Sequence, residues 1–238
     1  VRNPASLIVK GARVMKKKVG IITIGQAPRS DLFPEVARFF DEKVEFIQRG
    51  VLDQLDSVAL KKLLPASDEI TLVSKLKDGT PVTMAKEKII PIIQAIIDQF
   101  NQEHVDLIIL ACTGAFKSFQ SDTPIIYPDY LLNHTTQGLF RNNGQIGVIV
   151  PLTEQIDAIK LKWKQAGFDA ICSACSPYEY TEEAMARAVT ALNHMDVEAI
   201  VLDCIGYTSV MKEVAKKHSV KPVILSRNMV FQNAAELL

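Results

Sequence analysis

Residues 19–24 (VGIITI) form a continuous apolar, β-branched run closed by Gly25, the pattern of a strand buried on both faces of a parallel sheet. Pro28, Ser30 and Asp31 supply a turn and an N-cap, and Leu32, Val36, Phe39 and Phe40 recur at helical spacing up to about Asp41. Residues 44–47 read as the next strand and residues 57–64 as a helix. Residues 69–76 and 81–84 flank Asp78-Gly79, a hairpin signal, so a small antiparallel insertion is expected there. Residues 86–102 place Ile89, Ile90, Ile93, Ile96, Ile97 and Phe100 on an amphipathic helix that leads into VDLIILAC, a second buried strand ending at Cys112. Thr113-Gly114 marks a loop, residues 124–127 a short strand, and residues 130–141 a helix closed by Asn142, Asn143 and Gly144.

The second half repeats this order: strand 146–150, helix 153–166, strand 170–172, helix 181–194 and strand 199–202, which ends at Cys204. A loop at Gly206, a helix over 209–217, a strand over 222–225 and a last helix complete it. LIILACTG in one half is matched by AIVLDCIG in the other, and TPIIYP by KPVILS, which reads as an internal duplication; two unrelated βα units are the alternative. Strands alternating with helices imply parallel sheets with right-handed crossovers. The expected fold is therefore α/β: two similar Rossmann-like lobes with a ligand cleft between them. The first lobe is expected over residues 15–143 and the second over 144–238, with the last helix able to pack back on the first. Residues 1–14 fit no periodic template and read as a disordered extension, which makes Met15 a candidate start.

Composition narrows the classes. Lys plus Arg and Asp plus Glu are equal at 27 each, so the chain lacks the positive field that nucleic acid or an anionic membrane attracts. Its apolar runs are far shorter than the roughly 20 residues of a membrane helix, and no secretory signal is recognisable at its start. A cytoplasmic location is expected, and four cysteines then read as reduced thiols. No Walker loop, GxGxxG, GxSxG or HExxH occurs.

In open α/β sheets ligands bind beyond the carboxyl ends of the strands, where Gly25-Gln26, Cys112-Thr113-Gly114 and Cys204-Ile205-Gly206 fall. A cysteine between such a strand and a following helix meets backbone N–H groups and the positive end of the helix dipole, which favours thiolate and an adjacent carboxylate ligand. Free cysteine is also a common buried packing residue, so each thiol alone has a structural explanation. The coincidence of Cys112 and Cys204 at equivalent points of two similar halves weighs against it. Arg29 can pair bidentately with a carboxylate or stand as a solvated helix-start residue. Asp203 can orient a thiol, bind a ligand hydroxyl or cap a turn, and its charge would raise the pKa of Cys204. Thr23, Gln26, Tyr207 and Thr208 are further candidates for lining the cleft. Cys172 and Cys175 make a CxxC without a second pair or a histidine cluster at zinc spacing, so no metal is expected. His104, His134, His194 and His218 are scattered and read as surface or capping residues.

The stretch KVGIITIGQAPRSDL, the segment LIILACTG and the late VLDCIG resemble the AroM family over residues 16–238, and the paired cysteines are similar to those of the wider aspartate/glutamate racemase superfamily. That resemblance implies cofactor-free chemistry at a carbon next to a carboxylate, with one thiolate removing a proton and the other thiol delivering one to the opposite face. By position, Cys112 and Cys204 match the acid/base pair, while Thr113, Gly114 and Gly206 match the neighbours that hold the substrate carboxylate. Amino-acid racemases carry an Asp-Ser pair where this chain has Gly25-Gln26, and Gly-Cys-Thr-His where it has Asp203-Cys204-Ile205-Gly206, so aspartate or glutamate is not implied as substrate. Two readings follow: a racemase or isomerase of a small carboxylate, or a binding or sensor module that kept the clamp without the catalysis. A small carboxylate is the expected partner in both, and a homodimer is compatible with either.

Overall fold

In the computed structural model, residues 16–140 and 144–238 are described. The expected extension over 1–14, the start at Met15 and the helix end at 141–143 lie outside the described residues. Strand β1 (Lys17–Thr23) is buried from Val19 onward, as its apolar run requires. It pairs in parallel with β2 (Val44–Gly50) on one side and with β5 (Leu107–Leu110) on the other, and β5 pairs with β6 (Ile125–Ile126). A second parallel sheet is centred on β7 (Gln145–Val150), flanked by β8 (Asp169–Ala174) and β9 (Ile200–Leu202), with β10 (Val223–Leu225) beyond β9. The spatial orders β2-β1-β5-β6 and β8-β7-β9-β10 correspond term by term, so the likeness of the two halves extends from short motifs to topology.

Helix α3 (Lys86–Gln102) buries Ile89, Ile93, Ile96, Ile97 and Phe100, the face read from its periodicity. Phe100 lies so close to β1 that a Cβ at Gly20 would stand 2.8 Å from its ring. Gly147 of β7 repeats this beneath Leu192 of α6 (Glu182–Asn193), where the corresponding distance is 3.1 Å. The helix expected up to Asp41 is shorter: α1 (Phe33–Val36) gives way to a 3-10 turn (Ala37–Phe39). Phe33 and Phe40 each pack edge-on against Phe46, and Phe40 also against Phe231, so aromatic packing replaces helical propagation in this segment.

Two helices cross between the halves. α4 (Pro128–Leu139) follows β6, yet its Leu132 is buried with Ile146, Val148 and Val150 of β7. α8 (Ser226–Ala235) follows β10 and buries Val230, Phe231 and Ala234 with Val19 and Ile21 of β1. Large apolar side chains buried in this way contribute about 1.5–3 kcal/mol each, so the exchange of helices ties the two sheets together. The predicted insertion is present as an antiparallel pair, β3 (Thr71–Lys75) with β4 (Pro81–Ala85), preceded by α2 (Ser57–Lys62). The remaining helices are α5 (Ile156–Gln165) and α7 (Ser209–His218). No helix among the described residues is long and apolar enough to cross a membrane.

Candidate active site

The two cysteines stand on equivalent loops. The Ala111 N–H donates to Ile22 O at 2.7 Å, and the Asp203 N–H to Ile149 O at 3.0 Å, so the loops leaving β5 and β9 are each tied to the neighbouring central strand in the same way. One residue later come Cys112 and Cys204. The Gly114 N–H donates to Cys112 Sγ at 3.4 Å and the Gly206 N–H to Cys204 Sγ at 3.3 Å. Both cysteines line one small cavity of about 30 Å³, together with Arg29, Ser74, Gln155 and Tyr178. That is room for about two waters, so a ligand of several carbons requires its walls to part.

The expected helix start beside each cysteine is corrected by the structure. No helix stands between Cys112 and β6, and α7 begins at Ser209, behind the Thr208 cap. The positive ends that face the sulfurs are single glycine amides rather than helix termini, and they do not offset burial. Burial pushes the Cys112 thiol up to about 12 against the help of the Gly114 amide. Cys204 is also pushed up by burial, but the Gly206 amide, the Tyr178 hydroxyl and the Arg29 guanidinium all favour its thiolate, while Asp203 opposes it. Tyr178 Oη lies 3.8 Å from Cys204 Sγ, and burial raises that phenol well above its ordinary value.

Arg29 is buried in the cavity wall rather than solvated. Its Nε and Nη2 donate to the two oxygens of Asp31 at 2.8 and 2.7 Å, its Nη1 to Thr23 Oγ1 at 3.3 Å, and its guanidinium lies 5.9 Å from the Tyr178 ring centroid. Burial would raise the Asp31 carboxyl, but the Arg29 hydrogen bonds and charge, with Lys75 at 3.2 Å, hold it well below the carboxylate range. The fork is thus already occupied by a carboxylate of the chain itself.

Asp203 anchors the opposite wall. Its Oδ2 accepts from Lys162 Nζ at 2.5 Å and Trp163 Nε1 at 2.8 Å, and Lys162 Nζ also donates to Thr113 O at 3.3 Å. The Thr113 hydroxyl donates to Asp203 O at 3.1 Å, which joins the two cysteine loops directly. Arg227 of α8 adds a third tie: its guanidinium donates to Ile205 O, Gly206 O, Asp31 O and Glu35 Oε2.

Of the residues singled out in the sequence, Arg29, Cys112, Thr113, Gly114, Asp203 and Cys204 line the cavity. Gly25, Gln26, Gly206, Tyr207 and Thr208 do not. Gly25 lies against Ser74 Oγ and Lys75 O, where a Cβ would collide, and so admits β3 to the cavity wall. The Gln26 side chain is taken up by Leu52 O and the Lys77 N–H. Gly206 serves through its amide, the buried Tyr207 hydroxyl donates to Cys175 O at 2.6 Å, and Thr208 caps α7. Cys172 packs beside one core cluster and Cys175 in another. Tyr178, Gln155 and Pro151 were missed although they follow β8 and β7, where the strand-end rule points to them. Ser74 and Lys162 carry no comparable signal, because the hairpin reaches the cavity, and Lys162 of α5 reaches Asp203, only through the fold.

The profile of the AroM protein family matches residues 19–238. A search of the curated proteins finds no match. Among solved structures, glutamate racemase from Francisella tularensis subsp. tularensis SCHU S4 in complex with D-glutamate is similar, with TM-score 0.62 at 13% identity over 94% of this chain and 82% of that one. Picrophilus torridus aspartate racemase gives 0.60 at 14% identity over 92% and 94%. Unliganded arylmalonate decarboxylase gives 0.59 at 13% over 93% and 92%. These likenesses establish the racemase-type two-lobed α/β fold expected from the sequence.

Proposed function

The chain belongs to the AroM family, and on that footing we propose that it moves a proton at a carbon next to the carboxylate of a small acid, without a cofactor, in the cavity between Cys112 and Cys204. The observation that carries this reading is the pair of sulfurs on matched loops, each held by the amide two residues on. In the forward step the Cys204 thiolate takes the proton of the C–H bond, and the electron pair is delocalised into the carboxylate. The Cys112 thiol then delivers its proton to the opposite face of the carbon. The pair ends with thiol and thiolate exchanged, so the reverse reaction starts from the other sulfur.

Cys204 is the better base because the Gly206 amide, Tyr178 and Arg29 favour its anion, whereas the Cys112 sulfur has one hydrogen-bond donor, the Gly114 amide, and the more distant charge of Lys162. The guanidinium of Arg29, paired with Asp31, lines the same cavity as both sulfurs and is the cation within it that a substrate carboxylate could approach. Similarity in fold to proteins named glutamate racemase and aspartate racemase supports the reaction type, while Gly25-Gln26 in place of an Asp-Ser pair argues against those amino acids.

A second reading, a carboxylate-binding or sensor protein without turnover, is favoured by one observation: burial raises both thiols above their ordinary value, which works against a resting thiolate. Incubation in D2O with a panel of small carboxylic acids separates the two. Deuterium uptake at the carbon beside the carboxylate, abolished in Cys204→Ser and stripped of inversion in Cys112→Ser, is the outcome expected of the enzyme. Saturable binding with no uptake by any acid would assign the chain to the binding class.

A further inference from the structure

Three buried polar atoms in the cavity wall have no hydrogen-bond partner: Asp203 Oδ1, Gln155 Oε1 and Ser74 Oγ. Their residues are 2%, 9% and 1% exposed, so bulk water does not serve them. They come from the Cys204 loop, the turn after β7 and the hairpin strand β3, segments that no local motif brings together. Asp203 uses Oδ2 for Lys162 and Trp163, which leaves Oδ1 free to accept. Gln155 Nε2 donates to Thr71 O at 3.1 Å, which fixes the amide and makes its remaining atom an acceptor. Ser74 can accept or donate.

We infer that this side of the cavity receives a hydroxyl group of the ligand, so that the acid bound is a hydroxy acid; the inference rests on the carboxylate reading above. A hydroxyl donor satisfies Asp203 Oδ1 or Gln155 Oε1, and its oxygen can accept from Ser74. An ammonium group would find no unpaired carboxylate there, because Lys162 already neutralises Asp203 and Arg29 already neutralises Asp31. An alkyl or aryl group would seal the acceptors away from any partner, and sites built to hydrogen-bond a substrate hydroxyl reject analogues that lack it.

The test uses acids matched in size: malate, aspartate and succinate as one set, lactate, alanine and propanoate as another. They are titrated against the intact chain by the emission of Trp163, the single tryptophan, whose indole N–H bonds Asp203, with calorimetry in parallel. The hydroxy member of at least one set is expected to bind tenfold or more tightly than its deoxy partner. In Gln155→Met, and independently in Ser74→Ala, that ratio is expected to fall severalfold while the deoxy acid binds as before. Equal binding of hydroxy and deoxy acids would overturn the inference and leave the carboxylate reading standing. Tightest binding by the amino member would replace the hydroxyl with a cation. Binding of no acid in either set would remove both readings.

Discussion

Tyr178 Oη stands 3.8 Å from Cys204 Sγ, whereas the amide of Gly114 is the one hydrogen-bond partner of Cys112 Sγ among the described residues. The loops are equivalent in backbone and unequal in side-chain surroundings. Under the proposed proton transfer, this inequality suits Cys204 to accept a proton and Cys112 to hold one.

Tyr178→Phe should slow the reaction of Cys204 with iodoacetamide about three- to tenfold at pH 8, the size of one hydrogen bond to the thiolate, and leave Cys112 unaltered. Labelling of each cysteine, read by mass spectrometry, checks it. An equal change at both sites would mean that the substitution opened the cavity rather than removing a partner.

The pH dependence of labelling should separate the cysteines in the wild-type chain. Both thiols are raised by burial, so their rates should still climb above pH 9, where an ordinary thiol with a pKa of about 8.5 has levelled off. Cys204 should lead. Fast labelling of Cys112 at pH 7 would contradict the burial that pushes it up to about 12.

Lys162→Met should destabilise the fold by about 3–5 kcal/mol, because it leaves the Asp203 carboxylate buried and without its counter-charge. Addition of Asp203→Asn should recover part of that loss, measured as denaturant midpoints of the single and double variants. No recovery would show that the lysine acts through packing against Trp163 instead.

Asp129 is buried at the start of α4, and desolvation pushes its carboxyl up to about 6. With the folded value above the unfolded one, its contribution is fully present below about pH 4 and is lost as the pH rises through 6. Asp129→Asn should therefore gain stability over the wild type between pH 4 and pH 7, by on the order of 2 kcal/mol at the upper end. Urea unfolding at the two pH values tests this, and a gain independent of pH would exclude the titration as its cause.

The sequence by itself determined the central strands, α3, the hairpin and the likeness of LIILACTG to AIVLDCIG, because apolar period and turn chemistry act over neighbouring residues. It also placed Cys112 and Cys204 at strand ends, since the strand-end rule needs only the limits of each strand. What the tertiary structure decided are relations between distant segments: the crossing of α4 and α8 between sheets, the entry of Ser74 into the wall, and the pairing of Lys162 with Asp203. Gln26 and Tyr207 stood at the right strand ends but were drawn to backbone partners at Leu52, Lys77 and Cys175. Strand periodicity fixes which residues reach the end of a sheet, but the direction a side chain takes there depends on which donor or acceptor the rest of the fold brings within about 3 Å.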